Sequence, residues 1–349
     1  MDIYILDADF ETVDIVDDYE YLVWDTAFYK KGFFEMKLPL ARLDSIMRGR
    51  YVFRSDSVYT GRIDTYSVDG FMISASGRFL EGLLDFRVDT LGREYSGNVE
   101  TAMFNLLHDN LQGERAIPRL ALGTDGARGG HGKFTAFGRG LAGYFYELAE
   151  MYDLSFNIRL DHIARTMTFN VIEGLDRTQA QTVNDWSIFS SDFGNIMSEF
   201  YETNTDYANV AKIYGQNRTS PGKIALPRHS VTVDISRGAE RREIYVDAGD
   251  ISQEEGMSDD AYLALIRQRG FERLAEAGRF ETVDVVVDNE TDMPFGLGDI
   301  CTYKHTITGN IYDLRVAEIK ETHESAGVKR NIVFGRRNLG VVEAIKRGD

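Results

Sequence analysis

The sequence predicts a mainly β chain with α+β insertions. Three observations carry that reading. Short runs rich in β-branched and aromatic residues fill residues 1–88 and return after residue 186. Between them, apolar residues recur at helical spacing. A third helical stripe then interrupts the second β region.

In residues 1–88, Tyr21-Leu22-Val23-Trp24 and Tyr51-Val52-Phe53 read as strands. Asp69-Gly70 lies between the runs Ile63–Val68 and Phe71–Ala75. Asp-Gly supplies the positive φ angles of a tight turn, so this is the clearest hairpin of the chain. Pro39 to Met47 reads as one short helix, with proline in the first turn where no amide is needed.

Residues 89–185 read as an α+β insertion. Val99, Met103, Leu106 and Asn110 fall at helical spacing, as do Leu141, Phe145, Leu148 and Tyr152. The glycine-rich stretch Gly123–Gly132 reads as a mobile surface loop. A hairpin follows, from Ser155–Leu160 through a turn near Asp161-His162 to Thr166–Ile172.

Residues 186–243 and 280–337 read as a second, discontinuous β module. Asn209–Tyr214, Ser230–Ile235 and Thr282–Val287 are its strands, with a turn at Gly309-Asn310 joining Cys301–Thr308 to Ile311–Ile319. Residues 244–279 are a helical insertion within it. Ser258 caps that helix, Asp259 and Asp260 suit its positive end, and Gly278 stops it. Residues 338–349 read as an exposed tail. Each β module has one insertion beside it, a weak twofold echo.

Composition narrows the function. Hydrophobic residues make up 43% of the 349-residue chain, ample for several cores, so disorder is excluded. The net charge of −17 excludes a broad phosphate-neutralising surface and adhesion to an anionic membrane. Neither a basic signal-peptide start nor a run of about 20 apolar residues is present, so the chain is expected to be made in a cytoplasm and to stay soluble. The single cysteine, Cys301, excludes an internal disulfide and reads as a small buried apolar residue.

Several enzyme-like motifs fail on their chemistry. Gly138-Arg139-Gly140-Leu141-Ala142-Gly143 satisfies G-x-G-x-x-G, opens a helix, and is followed at a suitable distance by Asp161. A dinucleotide site also needs a buried parallel strand before it, and Lys133–Phe137 is too short for one; the chain then turns back as a hairpin. Gly129-Gly130-His131-Gly132-Lys133 lacks the first glycine of a P-loop, where Ala127 stands, and its Ser/Thr, where Phe134 stands. The histidines at 108, 131, 162, 229, 305 and 323 form no metal-ligand spacing. No nucleophile elbow is present. Asn217-Arg218-Thr219 and Arg347-Gly348-Asp349 match a sequon and an integrin tripeptide by chance. No catalytic, cofactor-binding or metal-binding residue is assigned, and no cofactor is expected.

Five short motifs recur in a fixed order: Phe34-Glu35-Met36-Lys37-Leu38-Pro39, Gly77-Arg78-Phe79-Leu80-Glu81-Gly82-Leu83-Leu84, Asp192-Phe193-Gly194-Asn195-Ile196, Leu297-Gly298-Asp299-Ile300 and Val333-Phe334-Gly335. In order and spacing they resemble the tail-tip, or baseplate hub, proteins of long-tailed bacteriophages, over nearly the whole chain. The resemblance implies two tube-like β-barrel or sandwich modules per chain and a homotrimeric ring. That ring would join the sixfold tail tube, or distal tail protein, above to tip, fibre or receptor-binding proteins below, in the virion. It implies a structural role with passage of DNA, no specific nucleic-acid binding, no membrane insertion and, since the chain ends soon after Gly335, no appended lysin. Gly298 and Gly335 are expected to serve tight backbone, and Phe79, Phe193 and Phe334 to pack in the core. Cys301 departs mildly from the aliphatic residue usual there. Two other classes remain open: a carbohydrate-cleaving tail protein, needing paired carboxylates in a cleft, and a receptor-binding module, needing exposed aromatics on a concave face.

Overall fold

A computed structural model describes residues 2–203, 206–219, 224–236, 239–278, 281–287 and 293–336. The predicted tail at 338–349 lies outside the described residues. The chain is mainly β, and its organising element is one long sheet. Its strands run in the order Ile196–Thr203, Glu281–Val287, Gly327–Arg336, Ile311–Glu324, Tyr21–Ala27, Phe33–Pro39, Met72–Arg78 and Thr65–Asp69. Every neighbouring pair on this path is antiparallel.

The path divides into two halves of the same topology. Taken in chain order within each half, the first strand neighbours the second, and the third and fourth form a hairpin. The spatial order is first, second, fourth, third in both: Tyr21–Ala27, Phe33–Pro39, Met72–Arg78, Thr65–Asp69 and Ile196–Thr203, Glu281–Val287, Gly327–Arg336, Ile311–Glu324. The halves meet where the first strand of one pairs with the third strand of the other, Tyr21 opposite Glu324 and Ala27 opposite Glu318.

Period-two alternation gives the sheet one apolar face. In the first half Leu22, Trp24, Phe34, Met36, Ile73 and Ala75 face a core covered by the small sheet of Thr12–Val16, Ile3–Leu6, Tyr51–Arg54 and Thr60–Arg62. In the second half Val283, Val285, Ile332 and Phe334 face a core with Phe189, Cys301, Tyr303 and Leu314. Strand Ile300–Lys304 helps cover it, paired to the upper part of Ile311–Glu324.

The expected Asp69-Gly70 hairpin forms, with Asp69 opposite Met72 and Gly70 at φ +59. The short helix predicted from Pro39 is a single 3-10 turn, Leu40–Arg42, running into α1, Leu43–Arg48. Helices α2, Val99–Asn110, and α3, Leu141–Tyr152, pack on a sheet of Leu120–Leu122, Thr166–Ile172 and Ser155–Asp161. Asn98 caps α2 by accepting from the Glu100 amide at 3.1 Å. The phenylalanines 145, 156 and 169 hold this insertion together, with ring centroids 5.6–5.7 Å apart.

Helix α4, Asp259–Glu276, is capped by Ser258, whose Oγ accepts from the Ala261 amide at 3.2 Å. It buries Tyr262, Ile266 and Leu274 against Ile213, Val233 and Val246. Those last three belong to strands Val210–Tyr214, Ser230–Asp234 and Glu243–Asp247, which pair only with each other among the described residues. The hydrogen bonds therefore group these strands with the helix, whereas the sequence reading places the first two in the second β module. Alternation marks a strand but does not say which sheet it joins.

Candidate assembly surface

Among the described residues, the long sheet presents three free surfaces: a polar face and two edges. On the side opposite the cores, alternation places Glu35 and Lys37, Asp25, Glu318 and Lys320, Lys329, Asp284 and Glu202. Acids outnumber lysines, and no broad basic field forms. At the internal seam Asp25 lies opposite Lys320. Asp25 is 6% exposed, and one of its carboxyl oxygens is buried without a partner. Burial, then the neighbouring Glu318 carboxylate, pushes its pKa up to about 7. Burial and Glu318 also raise Asp284.

The core side of the same seam carries an ion cluster. Glu321 pairs with Arg54 at 2.8 Å and Arg330 at 3.0 Å, and Arg54 sits 5.1 Å over Trp24. Burial alone would raise the Glu321 pKa, but His323 and both arginines outweigh it and hold it at about 2. Above the seam Arg315 ties three parts of the chain. Its Nε donates to Asp153 at the end of α3 (3.0 Å), its Nη1 to the Glu173 carbonyl (2.7 Å), and its guanidinium stacks on Phe28 at 4.9 Å. Gly298 lies in the left-handed region at φ +91, and a Cβ there would collide with the Phe28 ring. Its predicted tight role is thus met. Gly335 has no positive φ, and a Cβ would make an ordinary 3.4 Å contact with Ala317, so tightness does not require glycine there.

The edges are strands Thr65–Asp69 and Ile196–Thr203, each paired on one side only. All five residues of the first are exposed. Phe71, just past it, is 84% exposed, while its carbonyl accepts the Leu40 amide at 2.7 Å. On the second edge Met197 sits where the register shifts and is 72% exposed. Phe79 and Phe334 are buried as expected, but Phe193 is not: it is 60% exposed. The correction has a local cause. The Ser190 hydroxyl caps the turn at Asp192, Asn195 Oδ1 accepts the Ser190 amide, Asn195 Nδ2 donates to the Ile188 carbonyl, and Gly194 adopts φ +70. The motif's polar residues fix the turn and its phenylalanine points away from the core.

The enzyme-like motifs can each be placed in the fold. The amides of Gly138 and Leu141, which a phosphate would need, donate to the carbonyls of Asp89 and Arg87 at 2.8 and 2.9 Å. His131–Thr135 is a strand paired antiparallel with Glu94–Asn98, so no P-loop exists there. Among the described residues no cluster of His, Cys, Asp or Glu fits a metal ion, and no helix is long and apolar enough to cross a membrane. Cys301 is buried, and burial pushes its thiol up to about 12. Two crevices, of about 430 Å³ beside Phe10 and Arg119 and about 300 Å³ along α4, are each lined by one carboxylate residue, Asp9 and Asp260.

An edge-open sheet leaves strand edges that another chain could pair with. The sequence model of the Siphovirus ReqiPepy6 Gp37-like protein family matches residues 2–336. The chain belongs to that family. No curated protein matches. Among solved structures, the 43 kDa tail protein of prophage MuSo2 from Shewanella oneidensis is similar at 14% identity and TM-score 0.59, over 98% of this chain and 100% of that one. A tail protein from Neisseria meningitidis MC58 is similar at 15% identity and TM-score 0.60, over 98% of each chain. Prophage tail protein gp18 of Listeria monocytogenes EGD-e is similar at 12% identity and TM-score 0.55, over 99% and 97%. The sequence resemblance to phage tail proteins thus holds over nearly the whole chain. The shared fold is that of phage tail structural proteins.

Proposed function

We propose that the chain is a tail-tip hub subunit whose trimeric ring joins the tail tube to distal tail proteins and lets DNA pass. The observation that carries this is the sheet of two same-order halves with both edges open. Three chains would present six similar four-stranded units, the number a sixfold tube requires. The path has eight strands, all antiparallel. An even count makes the last strand of one chain antiparallel to the first strand of the next under rotational symmetry, so every joint in the ring is alike. Head-to-tail contact between different surfaces closes rings, and closure removes the edges that would otherwise recruit other chains.

Closed this way, three sets of eight strands at ~4.8 Å spacing give a circumference of about 115 Å and a diameter of ~37 Å, which strand tilt widens. The polar face then lines the channel and the cores lie outside. In this reading the chain has two β modules, an α+β insertion between them, and a second insertion that includes strands 210–214, 230–234 and 243–247 with α4. No hydrolase activity is expected. Sedimentation over a wide concentration range and imaging of the particles test the reading. Threefold rings are expected, and a stable dimer with a twofold interface overturns it.

A further inference from the structure

The chain carries a template for its own outer seam. Inside the molecule, the first strand of one half pairs with the third strand of the other. In a head-to-tail ring the outer seam joins strand 196–203 to strand 65–69 of the next chain. These are again a first and a third strand. We propose that the two seams share one register, and that Phe71 locks the outer seam by packing against Met197 and Phe193 of the neighbouring copy. The inference rests on the ring reading above.

The register follows from the ladders. Phe33 opposite Arg78 ends one pair of strands in the first half, and Glu281 opposite Arg336 ends its counterpart in the second. Arg78 alternates onto the open face, and Gly335 is the last such position before Arg336. Setting Arg78 on Gly335 carries Lys320 to Ser67, Asp25 to Glu202 and Tyr21 to Ser198. The internal pair Lys320–Asp25 then becomes Ser67 opposite Glu202, with Asp69 opposite Phe200. Phe71 arrives at the level of Ser198, beside Met197. A slip of two residues one way would set Asp69 against Glu202, and like charges directly opposite are destabilising.

The side chains at this end suit the match. Phe71, Phe193 and Met197 are 84%, 60% and 72% exposed. Both aromatic residues sit on hydrogen-bonded turns, so their backbone has little freedom to lose on contact. The register shift at Met197 puts an extra residue outward from the edge. Antiparallel joining brings the Asp69 end of one edge to the Ile196 end of the other, the end at which these three groups lie.

Cysteine pairs in the full chain test this, because the one native thiol, Cys301, is buried. The two edges of one chain lie on the order of 34 Å apart across the sheet, so a bond between them forms only between chains. Ser67→Cys with Glu202→Cys is expected to give reducible dimers and closed trimers. Ser67→Cys with Ser198→Cys, about 13 Å off register, is not. Phe71→Asp is expected to weaken association at least about tenfold, with the melting of the isolated chain unchanged. Rings that cross-link only through the 198 pair, or through neither, overturn the register. Rings indifferent to Phe71→Asp overturn the lock. Absence of both rings and cross-links overturns the ring reading itself.

Discussion

In the ring reading, the two free edges form the same kind of joint as the internal seam, built with different chemistry. The internal seam pairs Tyr21–Ala27 with Glu318–Glu324 and is fastened by charge: Arg54, Glu321 and Arg330 on the core side, and Arg315 at the bend. The free edges carry no such cage. They carry exposed apolar groups, Phe71, Phe193 and Met197, among polar neighbours. The difference teaches which joint is permanent. A buried ion cluster fixes geometry but is costly to take apart, since each stranded charge remains desolvated. Apolar contacts form without that penalty. The internal seam is formed with the fold; in the ring reading the outer one forms only on assembly.

The comparison breaks most readily at Arg315. Arg315→Ala leaves Asp153 half-buried without its cation and frees the Glu173 carbonyl. A loss of about 3–5 kcal/mol in urea unfolding is expected. Arg315→Lys should recover only part of it, because an ammonium cannot span both partners and stack on Phe28. An Arg315→Ala variant as stable as the native chain would remove the distinction between the seams.

Two phenylalanines from the recurring motifs sharpen it. Phe334 is fully buried and Phe193 is 60% exposed. Phe334→Ala is expected to cost about 3–5 kcal/mol, and Phe193→Ser no more than about 0.5 kcal/mol in the isolated chain. Calorimetry at low concentration reads both. Equal losses would mean that Phe193 belongs to a core after all.

Buried carboxyls give the fold two opposing responses to pH. Asp25 and Glu81 are buried, and burial pushes each up to about 7. Unfolded carboxyls titrate near ~4. The folded chain therefore holds more protons between those values, and its stability falls as pH rises from ~4 through ~7. Glu321, held at about 2, has the opposite sign: its contribution is present above ~4 and is lost as pH falls toward 2. Melting temperature should decline from pH 5 to pH 8, and Asp25→Asn with Glu81→Gln should flatten that slope. A flat native profile would count against a proton held at the internal seam.

Much of this was legible in the sequence, and the gaps have physical reasons. Asp69-Gly70, the Ser258 cap and the stripes of α2 and α3 depend on local chemistry, which a sequence displays. The motif order led to the family because turns such as Gly298 by Phe28 tolerate few alternatives. The sequence reading places Phe193 in a core because hydrophobicity alone does not tell a buried aromatic from one on an exposed turn. The sequence reading puts strands 210–214 and 230–234 in the second β module because pairing partners are non-local. The equal topology of the two halves was only a faint echo, since strand order leaves no trace in composition. Open edges are also invisible to periodicity: Thr65–Asp69 reads like any other strand.

The smallest expected effect concerns the open face. The ring reading sends a duplex along it, so it must not grip phosphate. A duplex carries one charge per ~1.7 Å, and each phosphate neutralised by a lysine releases counterions, which gives affinity a steep salt dependence. Here Lys37, Lys320 and Lys329 are each set among carboxylates: Lys37 pairs with Glu20 at 3.0 Å, and Lys320 lies opposite Asp25. Repulsion at physiological salt decays over ~8 Å, so the rest of the −17 charge matters little to DNA in the channel. Fluorescence anisotropy with a short duplex should detect no binding at physiological salt in either monomer or ring. Glu318→Lys with Asp284→Lys should create binding that weakens as salt rises, and more in the ring than in the monomer, because only closure turns three faces toward one axis. Equal gain in both forms would place this face on the outside and reverse the assignment of channel and core.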